Sequence, residues 1–237
     1  MFAIARAELR MLIRNRLVAA CAVLIPLGLG AVFLFQGMGS NGVFTAVLQV
    51  MVMVAMGVYV TATTTLASRR QNLFLKRLRS GAVSDGSIIS GLVLPIVLIS
   101  VAQVVIVLGV LASVSSFPVE PWLVVIAVLV AEALFTALAL ATAGVTNSPE
   151  HAQVTTLPVF FIALGVSIWV VFTGPGGPAG LTWVQRALPG GATAELIALG
   201  WAGGDLSVVP VLIAISLGWV AVSVLAARSM FRWEPRA

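Results

Sequence analysis

The chain has 237 residues, of which 60% are hydrophobic and 9% charged, with a formal net charge of +5. Soluble domains carry about 25% charged residues, so this composition excludes an ordinary water-soluble fold and specifies an all-α polytopic membrane protein. Cys21 is the only cysteine, which excludes an intrachain disulfide and a cysteine-based metal site.

The first sixteen residues are amphipathic. Arg6, Arg10 and Arg14 follow at i, i+4 and i+8, while Phe2, Ala5, Leu9, Leu12 and Ile13 form the opposite face. This pattern predicts an interfacial helix on the inner leaflet, or a cytoplasmic extension of the first span. The first apolar run is about a full span long and several follow it, so it reads as a retained helix rather than a cleaved signal. Six runs of about 19–25 residues are long enough to cross a bilayer. They are placed at 17–35, 43–67, 88–112, 122–146, 154–173 and 206–227, within one transmembrane domain covering 1–237. Pro26, Pro95 and Pro158 fall inside spans, where kinks are expected, and Pro210 falls in a first turn.

The bases set the orientation. Arg6, Arg10, Arg14, Arg16, Arg69, Arg70, Lys76, Arg77, Arg79, Arg228, Arg232 and Arg236 share one side, and Arg186 alone occupies the other. Twelve against one predicts cytoplasmic termini in a plasma (inner) membrane protein. Because these bases flank apolar runs, anionic lipid headgroups suit the charge better than nucleic acid.

The connections differ in character. Residues 36–42 and 113–121 are short outer turns, and 147–153 is an inner turn containing Glu150 and His151. The inner connection 68–87 reads SRRQNLFLKRLRSGAVSDGS and holds five of the thirteen bases. Leu66, Leu73, Phe74 and Leu78 recur there at helical spacing with bases between them, which predicts a short helix along the membrane surface with one apolar ridge. It serves either as a topology anchor or as a docking element. The outer segment 174–205 opens on GPGGPAG, yet its continuation is too apolar for a solvated loop. Two short helices dipping into the outer leaflet and broken at Pro189-Gly190-Gly191 are expected, with Trp183, Arg186 and Glu195 among their residues.

No phosphate-binding Gly-x-x-x-x-Gly-Lys occurs, and His151 is the only histidine. The chain is therefore expected to bind no nucleotide in such a loop, to hold no paired-histidine zinc site and to catalyse nothing itself. Glu132 is the only ionisable residue deep within a span; a charge there costs roughly 3 kcal/mol on insertion scales. It is either a proton or substrate site, or a hydrogen-bonded packing residue. Thr45, Gln49, Met53, Met56 and Val60 share a helical face with Tyr59 beside it, and Gln103 is a weaker polar case in the next span. Methionine supplies adaptable surface for binding, but ordinary helix packing explains the same face.

The layout is an amphipathic start, two spans, a basic inner helix, three spans, a broken outer hairpin and a last span. It resembles the permease subunit of type-2 ABC exporters. Leu75-Lys76-Arg77-Leu78-Arg79 followed by Val83-Ser84 is similar to that family's inner-loop signature, an Arg-Glu-rich start, then Leu-Lys-x-Leu-Arg and Pro-x-Ser. Arg70 or Gln71 stands at the acidic position and Ala82 at the proline, so no salt bridge to a partner is carried over from that acidic position. Ser148-Pro149-Glu150 and Ala187-Leu188-Pro189 resemble the second inner turn and the re-entrant outer region. The resemblance implies a dimer with a second copy or a related permease, on two cytoplasmic ATPase subunits that hold the ATP and magnesium. It makes the inner helix a coupling helix, with Arg69, Arg70, Leu73, Phe74, Lys76, Arg77, Leu78 and Arg79 as docking residues. It implies a substrate pathway along the first, second and fifth spans, which makes the face of Gln49, Met53 and Met56 a candidate wall; Tyr59, Gln103 and Glu132 are the other candidate pathway residues. An amphipathic or hydrophobic solute (drug, antibiotic or lipid) is the expected cargo. The rival expectations are a proton-coupled secondary transporter using Glu132, and a membrane assembly subunit that transports nothing.

Overall fold

The computed structural model describes residues 5–7, 10, 28, 30–32, 42–81, 84–174, 182–231 and 233. Among them the regular structure is entirely helical. α1 spans Gly42–Gln71, α2 Phe74–Arg79, α3 Asp85–Val114, α4 Pro121–Val145 and α5 Pro149–Thr173. Two short helices follow, α6 at Thr182–Ala187 and α7 at Gly191–Ala202. A 3₁₀ turn at Leu206–Val208 then leads into α8, Val209–Met230. Among the described residues five helices are long and apolar enough to cross a membrane: α1, α3, α4, α5 and the continuous stretch Leu206–Met230. The expected first span, 17–35, and the amphipathic start lie mostly outside the described residues. Those described there, 5–7, 10, 28 and 30–32, are helical.

Two connections are shorter than the sequence suggests. α1 runs four residues past the expected end at Ala67, and α3 begins at Asp85 rather than Ile88. Nothing between Ala67 and Gln71 breaks a helix, and Ser84 caps α3 by accepting from the Ser87 N–H. Similarly, the expected inner turn 147–153 shrinks because Ser148 accepts from the His151 N–H and Pro149 opens α5. Glu150 and His151 thus occupy a first helical turn. At 30 residues, α1 and α3 are each about 45 Å long, well beyond a hydrocarbon core of about 30 Å. The surplus on α1 carries Arg69 and Arg70 beyond the apolar stretch of the helix.

α1 is the enclosed helix. It touches α3, α4, α5 and α7, and nearly every residue of its outer half is buried. α4 packs along α8, α7 and α1. By contrast α3, α5 and α8 turn Leu98, Val105, Phe161, Phe172, Leu217 and Leu225 outward. Such faces suit lipid, which solvates leucine as well as another helix does. Close backbone approach then decides the packing. A Cβ on Gly200 would lie 2.7 Å from the Val124 side chain, and one on Gly144 would lie 2.9 Å from the Met230 backbone.

The outer hairpin is held by the same means. α7 is buried from Gly191 to Trp201. Its turn places Gly190 at φ +93°, where a Cβ would lie 2.7 Å from the Met51 Cε of α1. A Cβ on Gly191 would overlap the Gln185 carbonyl oxygen. Overpacking of this kind costs typically 1–3 kcal/mol, so Gly191→Ala is expected to destabilise the protein by about 2 kcal/mol. Gly165→Ala, where the added methyl meets nothing within 4 Å, is the control. A thermal melt read by size-exclusion chromatography should show a clear loss for the first variant and none for the second.

Candidate functional site

The basic end of the bundle, expected to be the inner one, is built around a break in the helix. α1 ends as the Asn72 N–H donates to Ser68 O and the Leu73 N–H to Arg70 O, both at 3.0 Å. Leu73 then adopts φ +57°, the only left-handed non-glycine residue among those described. A side chain in that region costs of order 1–3 kcal/mol, so the surroundings must hold it there. Arg77 helps to do so: its N–H donates to Leu73 O at 3.1 Å and its Nη2 to Asn72 O at 2.8 Å.

This one residue resets the helical phase, and the expected ridge of Leu73, Phe74 and Leu78 needs correcting. The residue that faces inward is Leu75, fully buried at 0% exposure, while Phe74 and Leu78 are half-buried beside it. Leu73 instead stands out at 45% exposure, among exposed Gln71, Asn72, Lys76, Arg77 and Arg79. Continuous 3.6-residue periodicity assumes an unbroken helix; a left-handed residue between two helices rotates everything after it.

The bases do different jobs. Arg70 is 4% exposed, and its Nη1 donates to Ala143 O at 2.9 Å, in the last turn of α4. A guanidinium suits the carbonyl-rich C-terminal end of a helix. Arg70 is therefore an internal brace rather than part of an outward docking face, which corrects the expectation for it. Arg69 is half-buried, with its guanidinium 5.3 Å from the Phe74 ring centroid, so it ties the end of α1 to α2. Arg79 lies 3.4 Å from the Asp85 carboxylate and 5.0 Å over the Trp233 ring. Lys76 and Arg77 face outward.

Within the bundle, the structure places Gln49, Met53 and Tyr59 deep in the interior of the chain, each at 0% exposure. Met56 is half-buried. The regular face expected along this helix is interrupted because Ala55–Val60 forms a π-turn. Threonine hydroxyls take up carbonyls around it: Thr61 donates to Met56 O, Thr63 to Tyr59 O and Thr64 to Val60 O. Tyr59 also shares a 3.0 Å hydrogen bond with Thr142 of α4 and meets Phe135 edge-on.

Glu132 is 3% exposed and accepts from the Ser100 hydroxyl of α3 at 2.8 Å. Its second oxygen has no hydrogen-bond partner among the described residues. Ser100 faces Gly57 in the π-turn, where an added Cβ would lie 3.5 Å from its hydroxyl. Gln103, one turn further along α3, is also buried. The Glu132–Ser100 pair thus spans α3 and α4 beside the irregular turn of α1. Ser100 escaped the sequence reading; its spacing of three from Gln103 in an otherwise apolar span was the available signal.

At the opposite end of the bundle, Arg186 and Glu195 form a buried bidentate pair, Nε to Oε2 at 2.7 Å and Nη2 to Oε1 at 2.6 Å. The Glu195 hydrogen bond raises the Arg186 pKa above its ordinary value. Trp183 is exposed and lies beside this guanidinium, 5.6 Å from it, and Pro189 and Gly190 make the turn between the two helices. The pair therefore closes α6 onto α7. Leaving one partner of a buried pair alone costs about 3–5 kcal/mol. Glu195→Gln is accordingly expected to lower thermal stability sharply, whereas replacing both partners with apolar residues of similar volume should cost much less. Melting of the purified single and double variants distinguishes these outcomes.

Residues 1–197 match the family model described as ABC-2 type transporter. The match takes in α1 to α6 and ends inside α7, so α8 and the segment after it lie beyond it. A search of the curated proteins finds no match. Five membrane-length helices agree with the multi-pass membrane component that such a permease is. With 197 of 237 residues matched, the chain belongs to the ABC-2 type transporter family.

Proposed function

We propose that this permease works as an ATP-driven exporter and docks a separate cytoplasmic ATPase on the surface around α2. ABC-2 permeases work with such a partner in general. The observation that carries the assignment is the shape of residues 71–81. A short helix is pinned from behind by buried Leu75, and presents one apolar side chain, Leu73, inside a basic rim of Lys76, Arg77 and Arg79. An apolar centre with arginines around it is the usual energetic core of an interface.

In this reading both termini and α2 are cytoplasmic, and ATP and magnesium belong to two ATPase copies. A second permease, identical or related, completes the complex. The solute is amphipathic or hydrophobic and leaves the cytoplasm; family likeness supports the direction, and the apolar character of the candidate pathway residues Met53 and Met56 supports the solute class. Met56, half-buried on α1, is the most accessible of the pathway residues at Gln49, Met53, Met56 and Tyr59.

Leu73→Ala is expected to weaken ATPase binding by about 2 kcal/mol if Leu73 is the central anchor. Lys76→Glu should act mainly on association rate and salt sensitivity. The measurement is binding of the purified ATPase to each variant in nanodiscs, after checking membrane orientation. Wild-type affinity and hydrolysis in both variants would reduce α2 to a topology anchor.

A second expectation separates ATP drive from proton drive. With Glu132 buried and accepting from Ser100, Glu132→Gln should retain ATP-dependent transport in proteoliposomes. Complete loss of transport with assembly and ATPase stimulation intact would favour the proton-coupled reading.

A further inference from the structure

The end of the chain returns to the inner helix. α8 stops at Met230, Phe231 is extended, and Trp233 meets Phe231 edge to face with centroids 5.3 Å apart. The Trp233 ring lies beneath the guanidinium of Arg79, the last residue of α2. That same guanidinium reaches Asp85 in the first turn of α3. Arg79 therefore links the end of α2 to the start of α3 and to the end of α8. α8 in turn is pressed against α4, because Gly144 leaves room for the Met230 backbone. The neighbouring Ala143 carbonyl receives Arg70 from the end of α1. The inner end of α4 is thus held from two sides, by α1 directly and by α8, whose tail carries the partner of Arg79.

We infer that Trp233 is a positioning residue for α2: it holds Arg79 against the inner end of α8, so that a displacement of α2 passes to α8 and α4 as well as to α1 and α3. Chain connectivity alone joins α2 only to α1 and α3. Trp233 lies beyond the residues that match the family model. The two contacts of Arg79 differ in character. The Arg79–Asp85 pair is half-exposed and is weakened by salt and by competing water. A guanidinium stacked on an indole is held by the ring quadrupole and by contact over its weakly hydrated face, and resists salt better. The functional meaning of the link rests on the reading of α2 as the ATPase dock, whereas the link itself does not.

The test uses the full-length permease in nanodiscs, with Cys21→Ser to remove the only cysteine. Spin labels go on exposed Ser80 and exposed Ser229, which flank the contact. Distance distributions are recorded at high salt, where Asp85 contributes least. A narrow distribution is expected for the parent protein and for Asp85→Asn. Trp233→Leu, which keeps an apolar side chain, and Arg79→Gln should broaden or shift it, and Trp233→Phe should restore it. An unchanged distribution in Trp233→Leu would overturn the inference. A second arm adds the purified ATPase and compares nucleotide-free and vanadate-trapped states. At saturating ATPase, Trp233→Leu is expected to lose the nucleotide-driven change between labels on the ends of α2 and α8 that meet at Arg79. Persistence of that change at full size would refute transmission through Trp233. Should the ATPase fail to bind the parent at all, the docking reading falls, while the distances in the permease alone still decide whether Trp233 positions α2.

Discussion

The fold depends on enclosing α1. A helix largely enclosed within a bilayer gains little from hydrophobicity, because lipid tails would solvate its apolar side chains equally well. What holds it is close backbone approach and internal pairing of its polar groups. Met51 sits under the Gly190 turn, Tyr59 pairs with Thr142, and Arg70 bonds to the end of α4. Interhelical hydrogen bonds in membranes average only about 0.6 kcal/mol each, so the enclosure is a sum of many modest terms. It has one mechanical consequence. α1 runs from the outer hairpin, seated on Met51, to the inner break at Asn72 and Leu73, and a rod packed along its length connects the two ends.

The inner surface follows from how that rod ends. Had α1 continued unbroken, Leu73 would have kept the phase of Leu66, which is buried. The left-handed residue instead turns Leu75 inward and leaves Leu73 outside. The cost of that conformation is offset by Arg77 closing onto Asn72 and by Leu75 filling the core. In the proposed reading, a strained residue fixed by its neighbours, exposing an apolar side chain amid bases, is the surface that meets the ATPase. The same basic residues would orient the loop without any of this geometry.

Long apolar runs made the later five membrane-length helices readable, because length and hydropathy determine them almost alone. Pro189-Gly190 likewise marked the break between α6 and α7, since φ +93° demands glycine. Features that depend on one backbone angle were not readable. The left-handed Leu73 has no residue signature, so the exchange of Leu73 for Leu75 could not be anticipated, nor could the π-turn that interrupts the Gln49–Met56 face. Arg70 looked like its basic neighbours; only the third dimension brings Ala143 beside it. Glu132 stood out as an intramembrane acid, but its partner was an unremarked serine on another helix.

The central claim is that residues 72–81 form a preformed docking surface for an ATPase. Amide hydrogen exchange of the permease in nanodiscs, with and without the purified ATPase, tests it most directly. The account predicts that these amides already exchange slowly in the free permease through the Leu75 anchor, and that the bound ATPase slows them further while leaving the lipid-facing faces of α3, α5 and α8 unchanged. Rapid exchange in the free permease, or ATPase protection confined to other inner segments such as the start of α5, would contradict it.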